Sequence, residues 1–455
     1  MLRRFLRGYA RNEDGAVFLT LVIFLMLTMM LVVGISVDLM RTEMQRTRLQ
    51  QTIDASVLAA AHRDNSLDPV SVVLDYFNKA ELASYVTADD VETEGVAGSR
   101  YVQVNLTADI QTPFLNMMGR NSLTIPARGR AEEQIGNAEI SLVLDISGSM
   151  NQNSRMTRLH TAAGDFLDTV LKPESEDKIS VSVVPYTADV NAGKEIFSRM
   201  NVRQLHNYSY CVQFLPTDFD NTEIDPDKAY IQGQYFSWAS SNFTQISCPT
   251  QSYETITAFS QNKDALKSQI NSMTGREQTS IHLGMKWGIG LLDPAFQPVI
   301  ADMVDDGLID DAFDGRPVDY SENVLKTVVL MTDGVNTTSR RIMPFAYDTP
   351  AMRYHWSRHT IDSFEDDVDN SLESDIFEIA YDNTSGNAAL ASLCTKAKEA
   401  GIVIWTIGFE IDNSAATHME NCASSASHFY RVEGLEIAEA FGSIARQLKQ
   451  LRLTY

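Results

Sequence analysis

Residues 139–150 read EISLVLDISGSM, and their reading decides the fold. Glu139 to Ile146 is almost wholly apolar and stops in a turn of small polar residues. A strand without polar alternation is buried on both faces, as in a parallel sheet covered by helices. Three runs of the same kind follow: KISVSVVPY (178–186), LKTVVLMTD (325–333) and GIVIWTIGF (401–409). Helix-periodic stretches lie among them: RMTRLHTAAGDFLDTVLK (155–172), SIHLGMKWGIGLL (280–292), NAALASLCTKAKEA (387–400) and GLEIAEAFGSIARQLKQL (434–451). This alternation predicts an α/β fold, a doubly wound, mostly parallel, Rossmann-like sheet.

The predicted domain runs over 137–452 and is broken by three stretches that leave the rhythm. Residues 191–262 are polar and aromatic, 295–323 are acidic, and 340–386 carry an acidic run, Asp362 to Asp382, without Lys or Arg. Ordinary α/β connections take ~2–6 residues, so all three read as insertions.

Working outward to the amino terminus, Gly15 to Val37 (GAVFLTLVIFLMLTMMLVVGISV) holds no charge. At ~1.5 Å per residue it reaches about 34 Å, enough for a hydrocarbon core of ~30 Å. A cleavable signal has a shorter apolar core followed by small residues at a cut site. Here Asp38, Leu39, Met40 and Arg41 follow, so 15–37 reads as an uncleaved transmembrane helix behind a short tail, 1–14. Residues 38–62 continue without Gly or Pro as a stalk helix. Residues 63–136 form a small α+β neck: a helix near Asp68–Leu82 with Pro69 at its start, then strands at 101–110 and 122–133. Arg3, Arg4, Arg7 and Arg11 precede the span, while Arg41, Arg46 and Arg48 follow it, a slight bias toward a cytoplasmic amino terminus.

Acidic residues number 60 and basic ones 37, for a net charge of −23. A nucleic-acid binder needs a basic face, so that class is excluded. Cys211, Cys248, Cys394 and Cys422 form no C-x-x-C pair. They allow three disulfide pairings, of which Cys211–Cys248 with Cys394–Cys422 closes the shortest loops. Bridges would place the long carboxyl-terminal part in an oxidising space; the alternative is four buried thiols.

The chemistry gathers at the carboxyl ends of the predicted strands, where open α/β sheets bind ligands. Asp145, Ser147 and Ser149 sit at alternate positions on the turn leaving the first strand. Such a turn aims one carboxylate and two hydroxyls at one point. Thr279 precedes the helix SIHLGMKWG, with Thr274 as its alternative, and Asp333 ends the strand TVVLM in a T-D-G turn. All are oxygen donors, the set a hard divalent cation takes.

D-x-S-x-S, then Thr, then Asp on these elements resembles the von Willebrand factor A family and its metal-ion-dependent adhesion site (MIDAS). Asp145, Ser147, Ser149, Thr279 and Asp333 fall on that family's coordinating positions. The resemblance implies Mg²⁺, with Mn²⁺ or Ca²⁺ as alternatives, and a partner's Asp or Glu as a further ligand. Two carboxylates offset a 2+ ion, and hydroxyls add no charge, so the ion stays a Lewis acid. It reverses the local sign of an acidic protein whose long-range repulsion is screened beyond ~8 Å.

The flanks DGAVFLTLVIF, VGISVDLMR and LQQTIDASVLAAA resemble the TadE/TadG-like proteins of tight-adherence (Tad, Flp) pilus assembly. So do TPFLNMMGRNSLTIPARGRAE, HLGMKWGIGLLDP and GIVIWTIGF. Prepilin relatives carry Glu five residues after the cleavage-site Gly; counted from Gly15 this position is Thr20. The resemblance implies a single-pass protein of the bacterial inner membrane with a periplasmic carboxyl-terminal domain. Its partners would be pilus or secretion-machinery proteins, with no small-molecule substrate. The alternatives are a structural scaffold or minor pilin-like subunit with a structural metal, and a surface adhesin.

An enzyme is not expected. G-x-S-x-G, P-loop and G-x-G-x-x-G patterns are missing from the sequence. His355 and His359 lack the Glu of a zinc-protease helix, since Trp356 takes its place. His282 reads as a helix-surface residue, and the 362–382 run as a solvated loop rather than a Ca²⁺ site.

Overall fold

The computed structural model describes residues 14–61, 67–96, 99–134, 137–237, 243, 245–276, 278–322, 324–361 and 373–448. The tail 1–13 and the acidic patch 366–370 lie outside the described residues. The chain divides into two compact units after Gln134.

The first unit starts with one helix, α1 (Asp14–Ala61), followed by α2 (Pro69–Lys79). Pro69 enters α2 at its first turn, and the Asp68 side chain accepts from the Ser71 amide, satisfying a donor the helix leaves free. Strands β1 (Val91–Val96), β2 (Ser99–Gln111) and β3 (Ser122–Gln134) form an antiparallel sheet in that order. β1 is an addition to the two strands legible in the sequence. The second half of α1 turns Leu49, Ile53 and Val57 into a core with Val102, Val104 and Ala127. The first half keeps Phe18, Phe24 and Met30 exposed, and α1 is long and apolar enough to cross a membrane.

The second unit runs β4 (Ala138–Asp145), α3 (Arg155–Val170), β5 (Ile179–Tyr186), β6 (Thr257–Ser260), α4 (Lys263–Ser272), α5 (Ile281–Gly290), α6 (Gln297–Asp305), β7 (Leu325–Thr332), α7 (Asn383–Glu399), β8 (Val403–Phe409), α8 (Asn413–Cys422), β9 (Phe429–Val432) and α9 (Glu436–Gln447). Its six-stranded sheet has the order β9-β8-β7-β4-β5-β6. Every neighbouring pair is parallel except β5 with β6. The chain therefore winds one way from β4 and the other way from β7, and the switch point lies between them.

Every residue of β4 and β5 is buried, because the sheet has a core on each face. Leu142 and Leu144 pack with Phe166 of α3 and Phe441 of α9. Val143 and Val184 point the other way, among Trp287 of α5 and Leu393 of α7. α5 lies so close that a Cβ on Gly288 would stand 2.3 Å from Val143.

Two sequence readings change. Residues 191–262 are not wholly an insertion, since Thr257–Ser260 forms the antiparallel edge strand of the main sheet. The remainder holds a small sheet of Val202–Arg203, Val212–Gln213 and Tyr230–Gln232. His282 is fully buried rather than a helix-surface residue. α5 is covered on all sides, with Phe219 tilted against the imidazole and Tyr381 edge-on to it, one from each of two insertions. Disulfides join Cys211 to Cys248 and Cys394 to Cys422.

Candidate functional site

Asp145 is the last residue of β4, and Asp333 directly follows β7, so the two acids leave adjacent strands at the switch point. Asp145 is fully buried. Its Oδ1 accepts from the Ser147 amide at 2.8 Å, and its Oδ2 from the Thr332 hydroxyl at 2.7 Å. Ser147 Oγ lies 3.1 Å from Ser149 Oγ, and Ser149 Oγ donates to Asp333 Oδ1 at 2.6 Å. Four of the five sequence-predicted residues are thus joined in one hydrogen-bonded chain.

Thr279 is not a member of that chain among the described residues. It is nearly buried and tied in through its backbone: its amide donates to Thr337 Oγ1 at 2.9 Å, and its carbonyl accepts from the Thr337 amide at 2.9 Å. Thr337 stands in the turn that carries Asp333, so Thr279 and Asp333 are held in one loop cluster. Asn336 of the same turn caps α5, its Oδ1 accepting from the Ile281 amide at 2.7 Å. Thr274 is exposed, and its hydroxyl meets Tyr253 at 3.3 Å.

Sequence reasoning missed the cationic side of the site. The turn after Ser149 passes through Asn153 and Ser154, both left-handed (φ 51° and 58°), and so delivers Arg155 as the first residue of α3. Arg155 Nη1 donates to Asp333 Oδ2 at 2.8 Å, and its Nε to Glu410 Oε2 at 2.8 Å. Arg158 Nη1 reaches Glu410 Oε1 at 3.1 Å. Glu410 directly follows β8, again at a carboxyl end.

The electrostatics suit a cation. Burial, then the nearby Asp333 charge, pushes the Asp145 carboxyl up to about 7, against the hydrogen bonds from Ser147 and Thr332. Two carboxylates in a water-poor place call for positive charge beyond the one guanidinium. The donors are all oxygen, which matches a hard divalent ion.

This sheet order, with its antiparallel edge strand and the D-x-S-x-S turn at the switch point, is a doubly wound α/β fold like that of von Willebrand A domains. Residues 15–63 match the model of the Flp pilus-assembly TadE/G-like family. Similar solved structures include the von Willebrand domain of the type V pili tip protein Mfa5 from Porphyromonas gingivalis (14% identity, 69% of this chain and 95% of that chain, TM-score 0.36). The adhesive tip pilin GBS104 from Group B Streptococcus agalactiae is similar at 11% identity (69% of this chain, 100% of that chain, TM-score 0.36). The pilus adhesin SpaC from Lactobacillus rhamnosus GG is similar at 12% identity over 79% of this chain (TM-score 0.34), and the match spans 34% of SpaC. No curated protein sequence matches the chain.

Proposed function

We propose that this chain is a non-enzymatic interaction protein of Tad/Flp pilus assembly, anchored in the inner membrane by α1 with both folded units in the periplasm. Asp145, Ser147, Ser149, Thr279 and Asp333 hold one divalent ion, Mg²⁺ first. The ion's remaining position takes an Asp or Glu side chain from a pilus or secretion-machinery protein. The observation that carries this reading is the meeting of Asp145 and Asp333 at the switch point, linked through Ser147 and Ser149. The TadE/G-like match over 15–63 supports the pilus assignment.

Each residue has a part. Asp145 anchors the site, locked by Thr332 and the Ser147 amide. Ser147 and Ser149 supply neutral oxygens, so the ion is not over-neutralised. Asp333 balances charge and is itself held by Arg155. When bound, the ion supplies the attraction for a carboxylate that the −23 protein would otherwise repel.

The test is complementation of a deletion strain. Pili should return with the wild-type chain and fail to return with Asp145→Ala, whose fold is checked by protease resistance. Full rescue by a folded Asp145→Ala would turn the role into that of a scaffold carried by α1 and the neck.

A further inference from the structure

The turn joining β2 to β3, Thr112–Asn121, lies against α1 where the apolar run ends. Asp38, the first charged residue after that run, is 2% exposed, and its Oδ2 accepts from the Phe114 amide at 2.8 Å and the Leu115 amide at 2.7 Å. Phe114 reaches back to Gly34, where a Cβ would stand 2.4 Å from its ring. Gly34 is three residues before Val37, so at ~1.5 Å per residue the ring sits about 4.5 Å inside the apolar stretch. The same turn leaves Phe114 39%, Met117 78% and Met118 60% exposed. Gly119, left-handed at φ 83°, then closes it, and the exposed Arg120 follows.

Three large apolar side chains in water on a five-residue tip would be a costly choice for a soluble hairpin. Their continuity with the exposed apolar surface of α1 names one occupant. We infer that the Phe114–Met118 tip is a membrane-interface anchor that enters the lipid headgroup and upper acyl region beside α1. Asp38 is the clamp: it satisfies two amides of the tip where water is scarce and ties the tip to the helix. Gly34 is the notch that lets Phe114 lie against the helix at acyl depth. Arg120 and Arg41, both exposed, flank the tip on the aqueous side, where cationic side chains meet lipid phosphates. The tip and α1 together give the neck two points of attachment, which fixes its tilt over the bilayer in a way one helix cannot.

This inference rests on the reading of α1 as a membrane anchor, and the test separates the two. The native cysteines are paired, so a single added cysteine can carry a nitroxide in the full chain. Met117→Cys, Met26→Cys and Asp89→Cys are labelled and placed in nanodiscs of phosphatidylethanolamine and phosphatidylglycerol. Collisions with oxygen, which favours lipid, are compared with those of a water-soluble nickel chelate. The label at 117 should show an oxygen-to-nickel ratio several-fold above that at 89 and below that at 26. A ratio at 117 equal to that at 89, with 26 lipid-immersed, overturns the tip anchor and leaves the helix anchor standing. An aqueous signal at 26 overturns both. A protein docked on the tip would instead leave 117 aqueous in these protein-free discs, and so also counts against the proposal.

Discussion

Arg155 donates to Asp333 across 2.8 Å, so the acid that ends the β7 run already carries a fixed cation from the start of α3. The guanidinium is shared with Glu410 at 2.8 Å. A divalent ion at Asp333 must tolerate that positive neighbour, and Glu410 offers Arg155 a second carboxylate to hold while it does.

Arg155→Ala should therefore separate metal binding from stability. A guanidinium that shares a carboxylate with a 2+ ion would repel it by about 1–2 kcal/mol after solvent screening, so its removal should tighten metal affinity about tenfold. The same change leaves Asp333 and Glu410 short of a partner and should lower metal-free stability by about 1–3 kcal/mol. Calorimetry with Mn²⁺ and denaturant unfolding in chelator check the two parts. Weaker metal binding would make Arg155 an organiser of the site rather than a competitor.

Far from the site, Lys326 and Glu139 form a buried pair at 2.6 Å, with side chains 4% and 0% exposed. The Val318 amide also donates to Glu139, at 3.0 Å. Lys326→Met would strand a buried carboxylate and should cost about 3–5 kcal/mol. The double change Lys326→Met with Glu139→Leu should recover most of it, measured by urea unfolding.

The bridge Cys394–Cys422 ties α7 to α8 and closes a loop of 28 residues. Constraint of an unfolded loop of that length is worth about 3–4 kcal/mol. Replacing both cysteines by Ser should lower stability by that amount without moving the unfolding slope far. An unchanged midpoint would show that the unfolded chain is already constrained there.

Acid should loosen the domain through His282. Burial pushes its imidazole down from 6.5 to about 4, even with Nδ1 placed 3.0 Å from Asn336 Oδ1. The folded state keeps it neutral while the unfolded state takes up a proton. Stability from this residue is therefore lost as pH falls from about 6.5 toward 4, and then levels, up to about 3 kcal/mol. His282→Gln should flatten the pH dependence of unfolding across that window. An unaltered slope would mean the imidazole is protonated in the fold.

Much of this architecture was legible because its main strands are long apolar runs. LVLD and VVLMTD announce burial on both faces and also mark their own carboxyl ends, which is why Asp145 and Asp333 could be named. TAFS and FYRV, the two edge strands, are too short to carry a period. His282 misled because helical periodicity reports a buried face but not that two insertions cover the opposite one. Arg155 lies in an ordinary amphipathic helix, and only the left-handed Asn153–Ser154 turn aims it inward. Glu410 was within reach: it follows GIVIWTIGF as Asp333 follows TVVLMT, and the carboxyl-end rule applies equally to both.

The most direct test is calorimetric titration of Mg²⁺ and Mn²⁺ into the metal-stripped full chain in nanodiscs, disulfides intact, beside Asp145→Ala and Asp333→Ala. One saturable site per chain is expected in the wild type and none in either variant, with all three proteins folded. A folded wild type that binds no ion, or variants that bind as well as it does, would contradict this reading.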